Sequence, residues 1–200
     1  MLIIKWIILL LEFNTPKLKY LSYKHGKIAY VDTGNGPTLF CLHGMNGNSK
    51  SWTKLFHSLN SSYRIIAWDA PSFGMSDVFG DNIEEYKNAA KTLIEKLKLK
   101  NIILIGHSMG GLIATQLAYD NDLSVSGLIL SSTHLGFGCQ KGDALMPRYA
   151  NRLETFSSKQ SDISYAMERA QRNTPEGTSQ EVIKFLANVA LSIRLESIRD

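Results

Sequence analysis

Two hundred residues, 44% of them apolar, suffice for one domain with a sizeable core, and the net charge of +4 is spread along the chain. The modest basic cluster KLKLK at residues 96–100 reads as the solvated end of a helix, so no basic stripe with interleaved aromatics points to nucleic acid as a partner. Two cysteines, Cys41 and Cys139, form no disulfide framework and lack metal-ligand spacing; no metal site is expected, and a reducing, cytoplasmic compartment is.

Residues 1–13, MLIIKWIILLLEF, are apolar except for Lys5 and Glu12 but too short to span a bilayer comfortably. The start is weakly charged and no small-residue cleavage site follows, so a signal peptide fits poorly. Residues 1–16 are expected to form an N-terminal extension that packs on the domain or belongs to an upstream start adding little function, with membrane association as the alternative. Apolar, β-branched runs then mark strands at residues 18–23, 27–32, 38–43, 63–69, 101–106 and 125–132. Turn residues such as Gly34, Asn35, Gly36 and Pro37 separate the early ones, and Cys41 falls inside the third as a small core residue.

Helical patterns lie between the later runs. Ile83, Tyr86, Ala90, Leu93, Ile94 and Leu97 recur at helical spacing behind Asp81 and Glu84, which are spaced as a capping box. A second helix opens after Ser108, with Leu112, Ile113, Leu117 and Ala118 on its faces. Strands alternating with helices predict an α/β fold with a mostly parallel, doubly covered sheet. Residues 162–172 and 179–199 are helical in pattern, with breaks near Asn173, Thr174, Pro175 and Gly177. The expected organisation is therefore an extension at 1–16, a core of six strands at 17–138 and a helical cap at 139–200.

The stretch NIILIGHSMGGLIATQLA, residues 101–118, sets Ser108 between glycines where a strand pattern gives way to a helix. A dinucleotide fingerprint would need a third glycine where Ser108 stands and an acidic residue ending the next strand, which instead ends in Leu130, Ser131 and Ser132. A nucleophile elbow fits every position: Gly106 and Gly110 clear the bend, and the helix N-terminus beneath Ser108 offers amides to an oxyanion. G-x-S-x-G arises by chance in a chain this long about once in 15. The strand before, the helix after and a second motif upstream make the match specific.

That second motif is His43, Gly44 and Met45, at the end of the third strand. An acyl-transfer site needs two converging N–H donors; Met109 and Met45 are placed to supply them from the backbone. His43, Gly44 and His107 are candidates to flank the substrate. For His43 the alternative is a structural histidine bonded to nearby backbone, and for His107 it is packing beside the elbow.

Three segments, LFCLHGMNGNSKSW, YRIIAWDAPSFGMSD and NIILIGHSMGGLIA, together resemble the α/β-hydrolase fold superfamily in its esterase, lactonase and carbon–carbon hydrolase branch. The likeness covers roughly residues 18–138, including D-x-P-x-x-G-x-S at 69–76, where Ser72 stands in place of the usual glycine. The tract SSTHLGFG is similar to the entry into the cap of enol-lactonase-like members. The resemblance implies a serine hydrolase with no metal or organic cofactor, Ser108 as nucleophile and a small ester or lactone as substrate. Serine at 108 argues against dehalogenase and epoxide-hydrolase relatives, which place aspartate there. His107 resembles esterases, lipases and lactonases more than carbon–carbon hydrolases, which more often carry asparagine there.

In that family the acid and then the histidine follow the seventh and eighth strands. Here only His134 follows Ser108 among the histidines, directly after the sixth strand. Asp120 and Asp122 lie beyond the helix, and Asp143 and Asp162 fall in the cap. The acid and base are therefore expected outside these 200 residues, with the last two strands missing and about 60 to 80 further residues implied by the fold's usual extent. The sixth strand is then an exposed apolar edge open to self-association or a protein partner, and the chain alone is expected to be weakly active. The readings left open are an ester or lactone hydrolase, a carbon–carbon hydrolase of the same fold, and a non-catalytic remnant that binds a small acyl compound or a protein. Phe137, Met146, Tyr149, Leu153, Phe156 and Met167 either face the substrate or bury among themselves and the core.

Overall fold

The structure is a computed structural model that describes residues 14–80, 82–134, 147–159 and 162–194. Six strands form one sheet in the order β1-β2-β4-β3-β5-β6. They are β1 (Lys19–Tyr23), β2 (Gly26–Thr33), β3 (Thr38–Leu42), β4 (Arg64–Trp68), β5 (Ile102–His107) and β6 (Val125–Ser131), one for each run read from the sequence. β1 and β2 are antiparallel, and β2 runs antiparallel to β4; the pairs β3–β4, β3–β5 and β5–β6 are parallel.

Both faces of the central strands are buried, which is why they read as continuous apolar runs rather than alternating ones. From β3, Phe40 and Leu42 point to one face and Leu39 and Cys41 to the other. The first face is covered by α2 (Ile83–Lys96), through Tyr86, Leu93 and Ile94, and by α3 (Met109–Tyr119), through Ile113 and Leu117. The second is covered by α1 (Thr53–Leu59), whose Phe56 packs among Val31, Leu39 and Ile65. Cys41 is a fully buried core residue, and burial pushes its thiol pKa far up. Each large side chain so buried contributes about 1.5–3 kcal/mol.

Two helical starts differ from expectation. The sequence pattern left α1 unmarked: it grows from a short 3-10 turn (Ser49–Trp52) capped by Asn48, and seven residues show too little periodicity. α2 is capped one residue later than expected, by Asn82, whose side chain accepts from the Glu85 amide at 2.8 Å; Asp81 lies outside the described residues. On α3 Ala118 is exposed rather than packed.

Beyond the sheet come α4 (Pro147–Lys159), α5 (Ile163–Arg172) and α6 (Gln180–Ala190). α5 and α6 pair through Ala166, Ala170, Ile183 and Ala187, with Met167 against them, so Met167 serves that seam. Phe156 of α4 is buried with the main core. Phe137, Met146, Cys139 and Asp143 lie outside the described residues, as do the side chains of Tyr149 and Leu153. α6 stops at Ala190, short of the helical stretch expected to residue 199, and Ile193 instead forms an antiparallel bridge with Phe73. No helix among the described residues is long and apolar enough to cross a membrane.

Among the described residues β6 pairs with β5 alone, and Leu128, Ile129 and Leu130 are 40%, 51% and 47% exposed. An edge strand with no charge or proline on it invites edge-to-edge pairing. The chain is expected to self-associate, and Ile129→Lys should shift its light-scattering mass towards the monomer. Equal scattering by the two would mean that this edge plays no part.

Candidate active site

β3 is the strand at which the sheet reverses direction of growth: α1 leads from it to β4 on one side, and β5 lies on the other. Loops leaving the carboxyl ends of β3 and β5 therefore face each other across a crevice, where ligands bind in open α/β sheets. His43, Gly44 and Met45 leave β3; Ser108 leaves β5.

Ser108 sits at φ 52°, ψ −118°, a conformation that non-glycine residues rarely adopt and that costs about 1–3 kcal/mol. The surroundings fix it there. Its amide donates to the Ser131 carbonyl of β6 at 2.9 Å, and its carbonyl accepts from the Gly111 amide at 2.9 Å. The corner closes because glycines permit backbone-to-backbone approach. A Cβ on Gly106 would lie 2.5 Å from Gly111 Cα, and one on Gly110 would lie 2.0 Å from the Leu42 carbonyl oxygen.

Gly44 brings the two loops together. A Cβ placed on it would lie 3.1 Å from Ser108 Cβ and 2.9 Å from His107 Nδ1. Ser108 is half-buried, His107 exposed and Met45 half-buried, whereas Met109 is buried. Met109 opens α3, so its N–H has no acceptor within the helix and lies at the positive end of the helix dipole. Gly47 N donates to Gly44 O at 2.9 Å, turning the loop back on itself around Met45.

His43 is placed behind this loop rather than in the crevice. It is 1% exposed; its Nε2 accepts from the Ala70 amide at 2.9 Å, so Nδ1 carries the proton and donates to Gly44 O at 2.8 Å. With both ring nitrogens committed to backbone, His43 holds the loop and is not a substrate-flanking residue. Gly44 and His107 do lie beside Ser108.

Burial pushes the His43 pKa below its ordinary 6.5, outweighing the Gly44 hydrogen bond and the Asp69 charge, which act upward. The unfolded chain thus takes up a proton near pH 6.5 that the folded chain refuses. The stability this group contributes is full above 6.5 and is lost as pH falls from there to the lower folded value, by up to about 1.4 kcal/mol per pH unit. His43→Gln should flatten the fall of the urea midpoint between about pH 7.5 and pH 5. Parallel curves for the two chains would remove His43 from the acid response.

Sequence reasoning missed the residues that hold the site from behind. Asp69, 2% exposed, accepts from the Ser49 amide at 2.7 Å and the Met75 amide at 2.8 Å, joining the loops after β3 and β4. Buried Ser76 donates to Asp69 O at 2.6 Å and accepts from the Ala29 amide at 2.8 Å. The D-x-P-x-x-G-x-S spacing was the available signal, but not its partners.

The remaining acidic candidates stand elsewhere. Asp120 and Asp122 pair with Lys91 at 2.8 and 3.4 Å, which lowers the Asp120 pKa, and Asp162 caps α5 by accepting from the Ser164 amide. His57 is engaged away from the elbow, its Nε2 lying 2.9 Å from the Asn14 carbonyl oxygen. Among the described residues no cluster of three histidine, cysteine or carboxylate side chains could hold a metal ion.

Comparison with known proteins adds family to geometry. A family model described as the alpha/beta hydrolase fold matches residues 37–190. The chain belongs to the α/β-hydrolase fold family. As a member, it is 33% identical over 162 residues to a pimeloyl-[acyl-carrier protein] methyl ester esterase of Shewanella woodyi, covering 80% of this chain and 61% of that protein. It covers 35% of an uncharacterized Mycobacterium tuberculosis protein to which it is 30% identical over 119 residues. The chain thus spans less than two thirds of these relatives. Among solved structures, an esterase from Exiguobacterium antarcticum superposes with a TM-score of 0.77 at 22% identity, covering 93% of this chain and 74% of that one. A thermophilic esterase from Thermogutta terrifontis gives 0.72 at 24%, covering 91% and 69%. At those identities the structural likeness speaks for the fold.

Proposed function

We propose that this hydrolase-fold chain carries the nucleophile half of a serine hydrolase that cleaves a small carboxylic ester or lactone through an acyl-enzyme. One observation carries the reading: the strained Ser108 backbone stands at the strand-to-helix corner with Gly44 packed against it. The methyl ester esterase relative supports an ester as the bond cleaved. Ser108 Oγ attacks the carbonyl carbon, the C=O electron pair moves onto oxygen, and the amides of Met45 and Met109 bind that oxyanion. Collapse expels the alcohol or opens the lactone, and water then releases the acid. The Oγ proton passes to solvent water, because the buried His43, with both ring nitrogens on backbone, does not accept it, so acylation is slow.

The test is a pre-steady-state assay with p-nitrophenyl acetate. A slow first turnover that releases about one nitrophenolate per chain, with acetylated Ser108 in the digest, is expected. No acyl-Ser108 after prolonged incubation would sink the reading. The non-catalytic alternative, a corner that binds acyl compounds or a protein, draws on the structural commitment of His43 and predicts that second outcome.

A further inference from the structure

After α6 the chain returns across the core and meets the loops after β3 and β4 along one seam. Ser192 Oγ accepts from Asn48 Nδ2 at 2.7 Å. Ile193, 1% exposed, bridges Phe73. The Arg194 guanidinium donates from Nε to the Ser72 carbonyl at 3.0 Å, and from Nη2 to the carbonyls of Phe73 and Ser76. Three carbonyls reach one guanidinium because the 70–77 loop passes through left-handed φ at Ser72 (68°) and Gly74 (50°). Arginine suits this place because it is always charged and its planar fork offers five donors.

Phe73 and Asn48, two of the groups that receive this segment, are tied onward to the Gly44 and Met45 corner. Phe73 packs edge-on against His43 at 5.1 Å between ring centroids, and His43 holds Gly44 O. Asn48 caps the turn that follows Met45, accepting from the Lys50 amide at 2.8 Å. Asp69 joins the Ser49 and Met75 amides. The path from Arg194 to Met45 therefore runs through buried, hydrogen-bonded or packed neighbours at each step.

We propose that Arg194, with Ser192, is a positioning residue that couples the return of the cap to the oxyanion corner, so that the seat of α6 sets the direction of the Met45 amide. Its catalytic meaning rests on the serine-hydrolase reading; the coupling itself does not. Amide hydrogen exchange read by mass spectrometry tests it on the chain and on Arg194→Gln and Arg194→Lys. Arg194→Gln should speed exchange by about tenfold in peptides covering 43–52 and 69–77 while leaving 101–115 unchanged. Arg194→Lys keeps the charge without the fork and should restore part of the protection. Faster exchange confined to 180–194, or rising equally in 101–115, overturns the coupling.

With p-nitrophenyl acetate, an ester small enough to need no cap contact, kcat should fall by about tenfold in Arg194→Gln at unchanged KM. A raised KM with unchanged kcat overturns it. The exchange arm reads the coupling with or without turnover, so a chain without acyl-Ser108 but with the exchange pattern refutes only the hydrolase reading. Acyl-Ser108 with flat exchange refutes only the coupling.

Discussion

Replacing Ser108 by alanine should abolish covalent labelling by a fluorophosphonate, so that the parent chain gains one adduct mass and the variant none. The phosphonyl centre mimics the tetrahedral state of acyl transfer, and it needs an oxygen nucleophile held opposite converging amides. In the proposed reading Ser108 meets that need through backbone strain and not through side-chain mobility: φ is 52° there, and the bonds to Ser131 and Gly111 prevent relaxation. Ester turnover by the variant should drop to the buffer background. An adduct that persists in the variant, or maps to another residue, would take the nucleophile's role from Ser108.

The second large effect belongs to Gly110. Alanine is the better helix former by about 1 kcal/mol, and Gly110 lies in the first turn of α3, so propensity favours Gly110→Ala. Packing reverses that sign. The added Cβ would meet the Leu42 carbonyl oxygen at 2.0 Å, its carbon at 2.5 Å and the His43 carbonyl oxygen at 2.7 Å, all backbone at the end of β3. Only a shift of α3 away from the sheet relieves the clash, and it would open the Ser108 corner as well. The expected loss exceeds about 4 kcal/mol, seen as a collapsed denaturation midpoint or failure to fold. Gly127→Ala is the counterpart: in β6 its Cβ would find Ile103 side-chain carbons at 3.5 Å, and stability should stay level or rise by up to about 1 kcal/mol. Similar midpoints for the two variants would mean that helix and strand do not approach so closely.

Much of this was legible because local signals and tertiary structure agree. The central strands are apolar runs since they are buried on both faces, and the elbow is marked by glycines that no other residue can replace at those distances. What escaped is what sequence separation hides. The exchange of β3 and β4 in the sheet order, the grip of Asp69 on Ser49, and the reach of Arg194 across more than a hundred residues leave no local pattern. His43 stood with two readings, and only burial with both ring nitrogens bonded chose the structural one. Ser72 shows why its place suits glycine: φ is 68° there, and the residue carries that strain under the Arg194 bond.

The bond from the Ser108 amide to Ser131 carries a consequence for how the chain is made. Residues 101–118 emerge from the ribosome before β6, and until then the bend lacks the acceptor that holds its awkward torsion. Ser108 takes its final backbone pose only once the sixth strand has docked beside the fifth, so the bend is completed late in biosynthesis.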